Sequence, residues 1–271
     1  MLSETPSESL FETVETDSHI LVTIPCLSDN YAFLLHEKAS GATALIDVPE
    51  AAPIASELAA RGWSLDQIWL THHHADHVQG LSALLRDHPA PVYGAAADAH
   101  RLPALNSALK EGDQFALGDT QVQVLDVSGH TLGHIAFYAP AAQAAFTADS
   151  LMALGCGRLF EGTAAQMHAS LQKLADWPDA TQICSGHEYT ASNAKFALSV
   201  DPGNAALQER KRAIDTARAA GRFTVPSLMG LERATNPFLR ADDPALRQSM
   251  NLADAPAAEV FAALRAAKDR F

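Results

Sequence analysis

The chain has 271 residues, enough to bury a real core as one large domain or two modest ones. Its 48% hydrophobic and 19% charged content is that of a globular protein, and its net charge of −13 argues against a general nucleic-acid or membrane-surface binder. Three scattered cysteines (Cys26, Cys156, Cys184) make no disulfide framework and fit a reducing cytoplasm.

Residues 1–18 are polar and acidic, with neither a basic start nor an apolar core. They predict a flexible N-terminal arm and no signal peptide. No apolar run approaches the ~20 residues that span a bilayer. Short strands are expected over 20–24, 31–36 and 43–47, separated by Ser28-Asp29-Asn30 and Ser40-Gly41 turns. An alanine-rich helix over 50–61 ends at Gly62, and a strand over 67–71 follows.

That strand runs into Thr71-His72-His73-His74-Ala75-Asp76-His77. Imidazoles and a carboxylate packed this closely are costly to desolvate unless positive charge sits among them. A histidine-rich surface loop or a tag is the plain alternative, but the stretch is internal and interrupted by Ala75 and Asp76. In extended backbone His72 and His74 share one face and His73 takes the other. Val78, Leu81, Leu84 and Leu85 then show helical period, so a helix to about His88 starts at Asp76 or His77. One cation would take His72 and His74, a second Asp76 and His77. His73 reads as a packed histidine or a support for a neighbouring ligand.

Further strands are expected over 91–94, 121–124, 135–138, 144–148 and 181–184, with a capping-box helix from Thr163 to about Ala175. Beyond about residue 190 no strand pattern appears, and helical stretches cover 192–200, 205–220, 243–251 and 257–268. Interspersed strands and helices favour a layered sandwich over a doubly wound sheet. His130, Asp149 and His187 each stand just past the end of an expected strand, where loops converge to build sites.

His72-x-His74-x-Asp76-His77, His130 in Gly-His-Thr-Leu-Gly-His, Asp149 in Phe-Thr-Ala-Asp and His187 in Gly-His-Glu-Tyr-Thr resemble the metallo-β-lactamase superfamily. Gly155-Cys156-Gly157-Arg158-Leu159-Phe160-Glu161-Gly162-Thr163 and Gly186-His187-Glu188-Tyr189-Thr190 narrow the resemblance to glyoxalase II, the hydroxyacylglutathione hydrolases. Asn236-Pro237-Phe238-Leu239-Arg240 and Lys268-Asp269-Arg270-Phe271 match as well, so the likeness spans roughly 20–271.

The resemblance implies an α/β fold, an αββα sandwich over 19–189 followed by an all-helical substrate-binding domain over 190–271. It implies two divalent metal ions, zinc first, with iron or manganese as alternatives. One ion is held by His72, His74 and His130, the other by Asp76, His77 and His187, with Asp149 bridging and Asp76 also orienting a metal-bridging hydroxide. Arg158, Phe160, Tyr189 and Arg240 fall on substrate-contacting positions. Phe160 stands where some members have tyrosine, so one hydrogen bond is absent. Ala148, Met152 and Val48 depart from the family pattern without touching a ligand.

The implied reaction is hydrolysis of S-D-lactoylglutathione to D-lactate and glutathione, the second step of methylglyoxal detoxification, in a cytoplasmic monomer with no nucleic-acid or membrane partner. A thiolate leaving group of pKa about 8.5 needs no strong general acid. Among alternatives, the superfamily's nucleases are disfavoured by net charge and its β-lactamases by the lack of an export signal. Persulfide dioxygenases use one iron and lack the second site. A non-catalytic scaffold would have lost ligands, and all seven are present.

Overall fold

The computed structural model describes residues 12–271. The first sheet takes its strands in chain order: β1 (Glu12–Glu15), β2 (His19–Cys26), β3 (Asn30–Glu37), β4 (Thr43–Ile46), β5 (Gln67–Trp69), β6 (Val92–Ala95) and β7 (Ser107–Leu109). Pairing is antiparallel from β1 to β4 and parallel from β4 to β7. Parallel neighbours need crossovers, supplied in part by α1 (Ala51–Arg61), α2 (Ala75–Val78) and α3 (Leu81–Leu84). Residues 12–15, part of the stretch expected to be a flexible arm, instead pair with β2, and Val14 packs on the core. Residues 1–11 lie outside the described residues.

A second sheet contains β8 (Gln114–Leu117), β9 (Thr120–Asp126), β10 (Ile135–Ala139) and β11 (Ala144–Ala148). A two-stranded hairpin of β12 (Leu151–Met152) and β13 (Gly155–Cys156) follows. Then β14 (Gln182–Ser185) and β15 (Ser227–Leu228) complete the spatial order β15-β14-β11-β10-β9-β8. Thr163 and Gln166 bond reciprocally to open α4 (Ala164–Leu174). The C-terminal part holds α5 (Thr190–Val200), α6 (Ala205–Ala219), α7 (Met229–Thr235), α8 (Pro244–Ser249) and α9 (Ala257–Asp269). It is helical except for β15, two residues that extend the second sheet by pairing with β14. No described helix is long and apolar enough to cross a membrane.

Strand alternation sorts the layers. Ile135 and Phe137 face the first sheet, where the Trp69 ring lies 5.4 Å from Phe137 and 6.0 Å from Phe146. Ala136 and Tyr138 face the other way, into a cluster with Met167 and Leu171 of α4 and Phe261 of α9. Ile54 and Leu58 of α1 cover the outer side of the first sheet. The result is the αββα sandwich with helices on both faces.

The single helix expected over 76–88 is broken into α2 and α3. Gly80 sits between them, pressed on the turn before α1: its N–H donates to Val48 O at 2.9 Å, and a Cβ there would lie 2.9 Å from the Val48 oxygen and the Ala51 nitrogen. The close approach wins over helical continuity and fixes the direction of α2, which carries Asp76 and His77.

Candidate metal centre

Parallel pairing puts the C-terminal ends of β4 and β5 at one edge of the first sheet, and those of β11 and β14 at one edge of the second. Because β9 and β11 both run antiparallel to β10, the end of β9 joins the second set. A bond from Ile135 N–H to Thr71 O at 3.0 Å ties the two edges together. His72 and His74 therefore follow β5, His130 follows β9, Asp149 follows β11 and His187 follows β14. Asp76 and His77 enter from the first turn of α2.

The structure brings all seven together. His74 Nδ1 lies 3.1 Å from His72 Nε2 and 3.0 Å from His130 Nε2. His187 Nε2 lies 3.5 Å from Asp76 Oδ2, and His77 Nε2 is 3.9 Å from the same oxygen. Asp149 stands between the two trios: Oδ2 is 3.4 Å from His130 Nε2 and 3.3 Å from His187 Nε2, and Oδ1 is 3.5 Å from His77 Nε2.

The outward-facing ring nitrogens are engaged elsewhere, which turns the lone pairs inward. His77 Nδ1 reaches Asp47 Oδ2 at 2.8 Å, His187 Nδ1 reaches Asp29 Oδ1 at 2.9 Å, and His130 Nδ1 reaches the Arg158 carbonyl at 2.7 Å. Asn30 Nδ2 donates to Asp76 Oδ2 at 3.0 Å. Asp47 also accepts from the Thr71 N–H and hydroxyl, both at 2.8 Å. With its oxygens taken by Thr71 and His77, Asp47 holds His77 from behind, and it also lies close enough to His72 and His77 to form a further metal-capable group. Local sequence hides these supports. Asp29 and Asn30 read as ordinary turn residues, and Asp47 as the end of a strand.

The centre holds neutral imidazoles and an ionised carboxylate and leaves unsatisfied atoms turned inward. His77 Nε2 and Asp149 Oδ1 are buried without a hydrogen-bond partner. Burial drives the His72 imidazole far below its ordinary value, and burial likewise lowers His130. At His187 burial pushes downward, but the hydrogen bond and charge of Asp149 prevail and hold it at about 9. Burial opposes ionisation of Asp149, yet His77 and His187 keep its carboxyl well below the usual range. Nitrogen and oxygen donors with inward lone pairs suit a binuclear metal site.

Two glycines permit this packing. A Cβ on Gly157 would lie 1.9 Å from the Asp149 carbonyl oxygen, and one on Gly186 would lie 2.4 Å from Asp149 Oδ1 and 2.7 Å from His77 Cε1. Gly186→Ala is accordingly expected to displace Asp149 and lower kcat by about a hundredfold, the scale of an ångström-level misplacement. Single-turnover kinetics beside a circular dichroism spectrum checks this. Ala148, just before Asp149, has φ 40, a left-handed conformation costly for any residue but glycine. His73 stays out of the cluster, its Nδ1 2.9 Å from Asp98.

The centre forms the floor of a cavity of about 720 Å³. Its walls include Arg158, Phe160 and Tyr189. The Phe160 ring stands 5.6 Å from His74 and 5.3 Å from His130, and Tyr189 stacks on His187 at 4.7 Å. Arg240 does not line this cavity. Its guanidinium is held by Asp201 and Asp243, and it faces a separate recess with Pro202 and Gly203. Arg240, expected on a substrate-contacting position, is thus placed by the structure outside the cavity, with two carboxylates neutralising it. The helical part reaches the cavity instead through Arg265 and Lys268 of α9. Sequence reasoning missed both because on an amphipathic helix they read as surface charges. Their presence in the closing Lys268-Asp269-Arg270-Phe271 stretch and one turn before it was the available signal.

Residues 29–187 match the metallo-beta-lactamase superfamily, and residues 188–271 match the hydroxyacylglutathione hydrolase C-terminus family. The hydroxyacylglutathione hydrolase of Ruegeria pomeroyi is 65% identical over 93% of this chain and 98% of its own length. Among solved structures, BLEG-1 B3 metallo-beta-lactamase shares the fold at TM-score 0.63 and 19% identity, over 81% of this chain and 99% of that one. TTHA1623 in a di-iron-bound form is similar at TM-score 0.52 and 29% identity, over 61% of this chain and 90% of that one. Ligand edge, helical extension and sequence agree: the chain belongs to the hydroxyacylglutathione hydrolases, the glyoxalase II family of the metallo-beta-lactamase superfamily.

Proposed function

We propose that the chain hydrolyses the thioester of S-(2-hydroxyacyl)glutathione, chiefly S-D-lactoylglutathione, yielding the 2-hydroxy acid and glutathione. The observation that carries this reading is the cavity's two-sided chemistry: a cation-ready floor beneath a wall with Arg158, Arg265 and Lys268 in an otherwise acidic protein. The relatives' hydroxyacylglutathione hydrolase name supports it.

His72, His74 and His130 would hold one divalent cation, and Asp76, His77 and His187 the other, with Asp149 shared. Zinc suits these donors, and a similar protein with two irons keeps iron in view. When bound, such cations supply Lewis acidity, lowering the pKa of a water and polarising the carbonyl under attack.

The protein's own groups do the rest. Asn30 pins Asp76 at the side of the site where it can accept a proton-bearing water's hydrogen bond. Arg158, Arg265 and Lys268 meet the two glutathione carboxylates. Tyr189, its hydroxyl pushed up to about 12 by burial and the nearby Asp29 carboxylate, stays a neutral donor. Phe160 closes the mouth without offering a hydrogen bond. Cys156 also lines the cavity, but burial pushes its thiol up to about 11, so it does not compete as a nucleophile.

We assign the catalytic part to 19–189 and the substrate-holding part to 190–271, in a cytoplasmic monomer; three unpaired, buried cysteines suit a reducing compartment. Rates on S-D-lactoylglutathione, a β-lactam and a phosphodiester test the reading. Preference for the glutathione thioester supports it, and faster turnover of either other substrate contradicts it.

A further inference from the structure

Outside the ligands, one more group of charged side chains crowds the metal edge. Arg101 bridges two carboxylates, donating to Asp98 through Nε and Nη2 and to Glu161 through Nη1 and Nη2. His73, between two ligands in sequence, turns its Nδ1 to the same Asp98 at 2.9 Å and lies 3.6 Å from Glu161 through Nε2. Asp98 is only 1% exposed, so the guanidinium is its main compensation.

The far end of this clamp grips the loop that carries His130. Glu161 Oε2 accepts the Leu132 N–H at 2.8 Å. On either side of Glu161, the Phe160 N–H donates to His130 O at 3.2 Å and the Gly162 N–H to Gly129 O at 3.0 Å. The Arg158 carbonyl takes the His130 Nδ1 hydrogen at 2.7 Å. On the side away from the other ligands, His130 is thus oriented by the segment that Glu161 anchors. Asp76, His77 and His187 depend on Asn30, Asp47 and Asp29 instead, with no bond to the clamp.

We infer that Arg101 and Glu161 are positioning residues for His130: their ion pair holds its loop against the end of β5 and thereby sets the affinity of the three-histidine site, without contact with the ion. This rests on the two-cation reading above. The two sites then respond unequally to the same surface substitution.

The test is chelator-competition titration of Glu161→Gln and Arg101→Ala beside the wild type, with circular dichroism as the check on folding. Glutamine keeps an acceptor for Leu132 and leaves Asp98 paired, so that variant stays informative if Arg101→Ala fails to fold. The expected result is about 10- to 100-fold weaker binding of one ion only, the range found for groups that support ligands. Activity should fall in step and return as free metal is raised, a recovery that general destabilisation would not show. Unchanged affinity at both sites, equal weakening of both, or no recovery with metal overturns the inference. A wild-type protein that fails to bind two ions overturns the two-cation reading as well, which separates the two failures.

Discussion

Asp149→Ala should abolish tight binding of both metal ions and lower kcat/KM by about a thousandfold or more, since Lewis-acid stabilisation is worth several kcal/mol. The reason is position. Asp149 is the one ligand facing both trios, with Oδ2 3.4 Å from His130 and 3.3 Å from His187, and Oδ1 3.5 Å from His77. Removing it takes a donor from each site and the central negative charge from both. The β11–β14 pairing that carries it is parallel and buried, so the sandwich should survive. Elemental analysis of the folded variant checks the metal, and thiol release checks the rate. Retained turnover with full metal loss would refute the mechanism.

Lys268→Ala should raise KM about 10- to 100-fold with little change in kcat, because a hydrogen bond to a charged group is worth about 1.5–3 kcal/mol and Lys268, not being a metal ligand, would contribute mainly uniform binding. Lys268 lines the cavity wall, its ammonium resting 5.3 Å from the Phe196 ring and 5.5 Å from the Phe271 ring. Arg265, beside it, donates to the Cys156 carbonyl at 2.9 Å and to Asp269 at 2.8 Å, so its removal would also loosen the wall. Lys268 is therefore the cleaner probe. Arg240→Ala serves as the contrast: held by Asp201 and Asp243 away from the cavity, it should leave KM unchanged. A KM that rises for Arg240→Ala and not for Lys268→Ala would reverse the assignment of the substrate wall.

Different parts of this molecule were legible in its sequence to different degrees, for physical reasons. His72 and His74 could be paired because extended backbone alternates faces over two residues, a local rule. His130, Asp149 and His187 were visible only as strand-end positions and through family likeness, since nothing local says that three strands finish at one edge. The break at Gly80 and the edge strand β15 come from contacts with Val48 and with β14, remote in sequence. The supports Asp29, Asn30 and Asp47 were hidden for the same reason. Arg240 was expected at the cavity because a matching motif reports kinship, while the two carboxylates that hold it away are seen only in three dimensions. Arg265 and Lys268 were missed because helical charges are usually solvated.

The most direct test of the whole account is metal content and thioester hydrolysis measured together on one preparation as chelator removes, and added metal restores, the ions. Two divalent ions per chain, with S-D-lactoylglutathione hydrolysis vanishing and returning in step with them, is the predicted result. Undiminished hydrolysis by protein stripped of metal would contradict it.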